Sequence, residues 1–137
     1  MKSKIYFLII IAIFILATSA FGEIIGINDK EIQPISDLVL DNILKGIKTD
    51  NYDKYSKDFD ETMKKAETPK QFRESNKQLR NIFGNYQQRT YLGFLNQSKM
   101  TIVLWKARFD GTGNDVLIKL VISKRADKYL VTGLWFQ

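Results

Sequence analysis

The sequence predicts an α+β domain, with about three N-terminal helices packed on one face of a curved, four-stranded antiparallel meander sheet. Three observations predict it. Apolar residues recur three and four apart as far as Gly84, the spacing of a helix face. After Gly84 come four runs rich in aromatic and β-branched residues, separated by turn-like stretches. Helices followed by consecutive strands place the helices on one face of an antiparallel sheet.

The chain has 137 residues, and the first 22 read as a targeting segment. Lys2 and Lys4 precede an uncharged run from Ile5 to Ala17, and small residues follow. A short basic stretch, an apolar run and a small-residue exit form the pattern of a signal peptide. The run is short for a membrane span, which needs about 20 apolar residues. Ala20 and Gly22 supply small residues at the positions a signal peptidase reads, so cleavage is expected before Glu23, with cleavage after Ser19 or Ala20 as alternatives. The alternative is an uncleaved N-terminal anchor. Residues 23–137 then form a single domain in a secreted or extracytoplasmic setting, or one tethered to a membrane. That length can build a core without staples. There is no cysteine and no histidine. Disulfides, cysteine nucleophiles, imidazole bases, lipoprotein anchors and the usual structural metal sites are therefore excluded.

Residues 23–34 show no period and read as a leader. Ser36 reads as an N-cap, with Asp37 and Asp41 in the first turns, where negative charge suits the helix dipole. Leu38, Leu40, Ile43, Leu44 and Ile47 continue a first helix over about 36–48. Thr49-Asp50-Asn51 ends it and caps a second helix over about 51–59, with Tyr52, Tyr55 and Phe59 on one face. A polar passage follows. Thr68-Pro69 opens a third helix over about 69–83, since proline suits a first helical turn, and Gly84 stops it. Strands are expected at 88–96, 100–109, 116–123 and 129–136.

The middle hairpin registers with Phe109 opposite Val116. One face then carries Thr101, Val103, Trp105, Ala107 and Phe109 with Val116, Ile118, Leu120 and Ile122. It bears no charge and faces the helices. The other face sets Lys106 beside Lys119, near Arg108. The last strand has no such assignment, because both of its faces are apolar.

Charge divides unevenly. Residues 23–86 carry a net −1 and residues 87–137 a net +5. Lys106, Arg108 and Lys119 form a basic surface that suits an anionic polymer or lipid head groups. It is too sparse for a nucleic-acid footprint, and nucleic acid is not an expected partner. Asp58, Asp60 and Glu61 read as a solvated helix end. The loop DGTGND, 110–115, lacks the glutamate and helix of a calcium loop, so no metal and no cofactor are expected. Asn96-Gln97-Ser98 has the form of a glycosylation acceptor. Tyr52, Tyr55, Phe59, Tyr91, Trp105 and Trp135 are the candidates to line a pocket for a small apolar ligand, and the same spacings suit plain core. No catalytic residue is assigned.

The phrase NYDKYSKDFDETMKK at 51–65, TPKQF at 68–72 and the glycine at 84 resemble the family known as domain of unknown function 3887. That family is similar to the nuclear-transport-factor-2-like, or cystatin-like, superfamily. The resemblance covers nearly all of residues 23–137 and implies a cone-like fold. It carries over no catalytic residue. Superfamily members include isomerases, dehydratases and non-catalytic binding domains. The expected function is a non-catalytic domain that binds a small apolar ligand or a protein partner through its sheet, including a second copy as a homodimer. The alternatives are a pocket enzyme of isomerase or dehydratase type and a binder of anionic surfaces. A membrane is a partner only if the N-terminal segment stays uncleaved. Mass spectrometry of exported protein is expected to find an amino terminus between Ala20 and Glu23; recovery of the intact chain from membranes alone selects the anchor.

Overall fold

The computed structural model describes residues 22–137, so the expected export segment lies outside the described residues apart from Gly22. Among the described residues, four helices precede four strands. The first helix, α1, spans Asp29–Thr49, beginning at Asp29 rather than near Ser36. Its N-cap is Asn28, whose side chain accepts from the Glu31 amide at 3.0 Å. Glu31 answers with its carboxylate to Asn28 Nδ2 at 3.1 Å, so the cap closes from both sides. Pro34 lies inside the helix. Its missing amide costs the Lys30 carbonyl its helical partner, at a position where Lys30 is exposed. Ser36 is therefore no cap. It is fully buried, and its hydroxyl donates back to the Ile32 carbonyl at 2.8 Å.

α1 ends where Asp50 turns into the left-handed region at φ 56°. The second helix, α2, is a single turn, Tyr52–Tyr55, shorter than the expected 51–59. The chain then forms turns, and Phe59 bridges to Val131. The polar passage holds an unexpected helix, α3, Glu61–Ala66, capped by Asp60 through Met63 N at 2.8 Å. Asp60 is 5% exposed and pairs with Arg125 at 3.1 Å, so it is a buried cap rather than a solvated helix end. The expected third helix is α4, Pro69–Phe83, opened by a capping box between Thr68 and Gln71.

The strands are β1 (Tyr86–Gln97), β2 (Met100–Phe109), β3 (Val116–Arg125) and β4 (Lys128–Phe136). They form one antiparallel sheet in the order β1-β2-β3-β4. The faces of the middle hairpin are as expected, with Thr101, Val103, Trp105, Ala107, Phe109, Val116, Ile118, Leu120 and Ile122 all buried. Its register differs by one pleat. Val116 pairs with Ala107, not Phe109, and Lys106 pairs with Leu117, not Lys119. The loop explains the difference. Asp110 N donates to the Asn85 carbonyl at 2.9 Å and Gly111 N to the Phe83 carbonyl at 2.8 Å. These bonds pull the end of β2 toward the close of α4, and Phe109 pairs instead with Tyr86 of β1. A two-residue slip preserves every face, so alternation alone does not distinguish the two registers.

A bulge settles β4. Val121 pairs with Gly133, but Ile122 pairs with Val131, leaving Thr132 as the extra residue. An extra residue reverses the alternation beyond it. Tyr129 and Val131 thus pack inward before the bulge, and Leu134 and Phe136 pack inward after it. Each of the two alternating apolar sets, Tyr129, Val131 and Trp135 on one side and Leu130, Leu134 and Phe136 on the other, thus has two inner residues and one outer.

The core joins Ile32, Val39, Leu40, Ile43 and Ile47 of α1 to the inner sheet face. Tyr55, Phe59 and Phe72 close one end, with Tyr55 stacked on Phe72 at 4.4 Å and edge-on to Phe59 at 4.9 Å. The leader is not loose. Glu23 exchanges two backbone hydrogen bonds with Lys124, at 2.9 and 2.8 Å, and Ile25 N donates to Thr101 Oγ1 at 3.0 Å.

α1 crosses α2 at Gly46, where a Cβ would collide with the backbone of Tyr55. Gly113 has open space around the same atom. Gly46→Ala is expected to lower stability by about 1–3 kcal/mol, and Gly113→Ala to leave it nearly unchanged. Urea unfolding of the two variants checks the contrast.

Candidate functional site

The inner face of the sheet carries a polar network beneath α1. Trp105 is fully buried, so its indole N–H requires an acceptor. Asp37 supplies it, with Oδ1 accepting from Nε1 at 3.0 Å. The same carboxylate pairs with Arg89 at 3.2 Å, and Arg89 also reaches Asp41 at 2.8 Å and the Tyr86 hydroxyl at 3.2 Å. Asp37 and Asp41 lie four apart on α1, so one guanidinium spans both. Arg89 points inward because a bulge between Tyr86 and Gln88 reverses the alternation of β1. Burial works against its charge, but the hydrogen bonds to Tyr86 and Asp41 and their nearby charge outweigh it and hold the guanidinium pKa above its ordinary value. Tyr91 meets Trp105 edge-on at 6.3 Å and donates to Asp29 at 2.8 Å. Arg89 was not among the sequence candidates. Its signal is the pair Asp37 and Asp41, two carboxylates on one helix face that call for a cation.

The six candidate pocket aromatics occupy three places, not one. Tyr52, Tyr55 and Phe59 join Phe72 in the end cluster, where the Tyr52 hydroxyl donates to the Glu67 carbonyl at 2.7 Å. Tyr91 and Trp105 lie inside the sheet under α1. Trp135 stands on the opposite face, 47% exposed. The spacing in sequence carried the first three together; the sheet separates the rest.

The outer face is the open one. The pairing places Leu95, Ile102, Val121 and Gly133 in one row across the strands, and Gly93, Leu104, Lys119 and Trp135 in the next. Thr90, Lys106 and Leu117 form a third row, and Gln88 and Arg108 a fourth. The face is thus apolar toward one end and basic toward the other. Leu95 is 50% exposed, and Leu92, in the β1 bulge, 55%. The Trp135 ring lies over Gly133, where any Cβ would meet it at 2.5 Å. None of the four strands contains an aspartate or glutamate.

The three basic residues are not crowded as the expected register implied. Arg108 bonds to Asp115 at 3.3 Å and to the Gly113 carbonyl at 3.0 Å. Lys119 sits over the Trp135 ring at 4.7 Å from its centroid, a cation–π contact. With Lys106 opposite Leu117, no like-charge pair needs an anionic neighbour, and that argument for an anionic partner falls.

The remaining candidates serve the fold. Asn96 Nδ2 donates to the Gly26 carbonyl at 2.9 Å, and its Oδ1 accepts from Thr101 Oγ1 at 2.7 Å. A glycan on Asn96 would be attached at the atom that fastens the leader. Asp58 accepts from Asn42 at 3.1 Å. Asp110 accepts from the Asn85 amide at 2.6 Å. Among the described residues, no group of three or more acidic side chains is placed to hold a metal ion. No helix among them is long and apolar enough to cross a membrane. Comparison with protein-family models, curated proteins and solved structures finds no match to this chain.

Burial first, and then the Glu67 carboxylate and Tyr52, push the Tyr55 phenol well above its ordinary value of 10.0. The unfolded chain therefore loses this proton first. Below about pH 10 both states hold it; above that, only the folded state does, so stability falls as pH rises. Urea titrations from pH 8 to 11 are expected to show that fall, with a shallower slope above pH 10 in Tyr55→Phe.

Proposed function

We propose that the protein is an exported, non-catalytic interaction domain that docks a second copy of itself through the outer face of its sheet. The observation that carries this reading is the pair of apolar rows on a face that the helices leave open, with Leu95 and Trp135 exposed and Ile102 and Leu104 half-buried between them. Exposed apolar area of this kind marks an interaction surface. Four strands at about 4.8 Å spacing and about 30 Å of length give a face of roughly 600 Å². Two such faces bury roughly 1,200 Å², the lower range of a stable interface.

The charge pattern suits a two-fold arrangement. An axis through the two apolar rows sends the Lys106 and Arg108 ends of the two copies to opposite extremes. Binding fits the site better than turnover, because the carboxylates beneath the sheet already have partners: Asp37 holds Arg89 and Trp105, and Asp29 holds Tyr91. Export rests on the N-terminal pattern of residues 1–22.

Light scattering after size exclusion tests the reading. The protein is expected to run as a concentration-dependent dimer that strengthens with salt, since salt screens repulsion between two faces without acids. Leu95→Lys and Trp135→Glu are each expected to give a monomer with the far-ultraviolet circular dichroism of the parent. A monomer at all concentrations, or a dimer unmoved by both substitutions, overturns the self-docking reading. Association that appears only with an acidic protein and weakens with salt identifies a different partner and does the same.

A further inference from the structure

A small cavity of about 190 Å³ lies at the closed end of the core, away from the outer sheet face. Tyr55, Glu67, Phe72, Asn76, Leu134 and Phe136 are among its walls. Two of these side chains bring acceptors without partners. Asn76 of α4 is 4% exposed. Its Nδ2 donates to the Ile47 carbonyl at 3.1 Å and to Asp50 Oδ1 at 2.7 Å. Both of those groups are pure acceptors, so the amide has one possible orientation and its oxygen is turned the other way. That oxygen is buried and has no hydrogen-bond partner within the protein.

Glu67, which caps the end of α3, presents the second acceptor. Its Oε1 is likewise buried and unpartnered. Arg80 of α4 is committed elsewhere, with its Nη2 donating to the Ile47 and Lys48 carbonyls at 2.7 and 3.3 Å. A buried acceptor left unmade is costly, and a carboxylate more so. What the cavity lacks is a donor with positive charge. Phe72, Leu79, Leu134 and Phe136 give the wall a carbon surface, beside the polar side chains of Ser75 and Tyr55.

We infer that this cavity is a binding site for a small primary ammonium compound with a short apolar chain. The ammonium donates to Glu67 Oε1 and Asn76 Oδ1, and the chain lies against Phe72, Leu134 and Phe136. At about 30 Å³ per water, the space equals roughly six waters. It therefore takes a ligand near the size of butylammonium. The inference rests on the closed end of the core and is independent of the outer face.

The test is titration of the ¹⁵N-labelled protein with n-butylammonium chloride at pH 7, followed by amide and Asn side-chain chemical shifts, with n-butanol as the uncharged match. Saturable shifts at Glu67, Ser75 and Asn76 with butylammonium, and weaker ones with butanol, are the expected result. Glu67→Gln keeps the shape and is expected to weaken binding about tenfold or more, as loss of a charge-assisted bond does. Gly113→Ala, in the loop between β2 and β3, is expected to leave it unchanged. An equal response to butanol and butylammonium means the cavity is merely apolar and overturns the inference. So does the absence of any saturable shift in the parent protein, a result that needs no variant to fold and leaves the self-docking reading untouched.

Discussion

The structure depends on one contact, the burial of the apolar stripe of α1 against the uncharged face of β2 and β3. Ile32, Leu40 and Ile43 on the helix, and Val103, Trp105, Ile118, Leu120 and Ile122 on the strands, are buried almost completely. Each such side chain contributes about 1.5–3 kcal/mol on burial. The surface pair Arg108–Asp115 contributes about 1 kcal/mol at most. The apolar contact therefore decides the architecture, and the polar groups adapt to it. Asp37, for example, sits on α1 where it satisfies a tryptophan nitrogen that the packing has already buried. Arg89 in turn neutralises the carboxylates that the helix brings to the sheet.

The parts of this fold written in short-range patterns were legible in the sequence. α4 matches its expected bounds because Thr68, Pro69, Gln71 and Gly84 act within a turn or two of the chain. The strands lie close to their expected positions for the same reason. What escaped is whatever depends on partners far along the chain. Residues 29–34 read as leader, because the Asn28–Glu31 cap that opens the helix there is a polar pair in a stretch without apolar period. α3 has no buried residue, so no apolar stripe announces it. The hairpin register was set by Asp110 and Gly111 reaching back to residues 83–85, which alternation does not encode.

The bulges were hidden in another way. A single extra residue at Thr132 turns a strand with two apolar faces into one with a consistent inner face. Two apolar sets flanking a glycine were the available sign of it. The candidate site was less legible still. Residue type picked out the aromatics, but the sheet divides them between core, inner network and outer face. Trp135 and Trp105 are chemically alike, and one is exposed while the other is sealed. Alternation already set apart the outer face of the middle hairpin, but the pairing was needed to bring Leu95 of β1 and Trp135 of β4 into neighbouring rows with Ile102 and Leu104.

The clip between Glu23 and Lys124 bears on the order in which the chain assembles. Its halves are separated by nearly the whole domain, and Ile25 reaches Thr101 across 76 positions. A ribosome delivers the leader first and β3 almost last. The two backbone bonds, and the Asn96 amide that grips Gly26, thus close only after the helices and most of the sheet have been made. Contacts of such long range carry a large loop-closure entropy and slow folding. The first residues of the domain are the last to find their place, and until then the edge of β3 near Lys124 stays open to pairing with another chain.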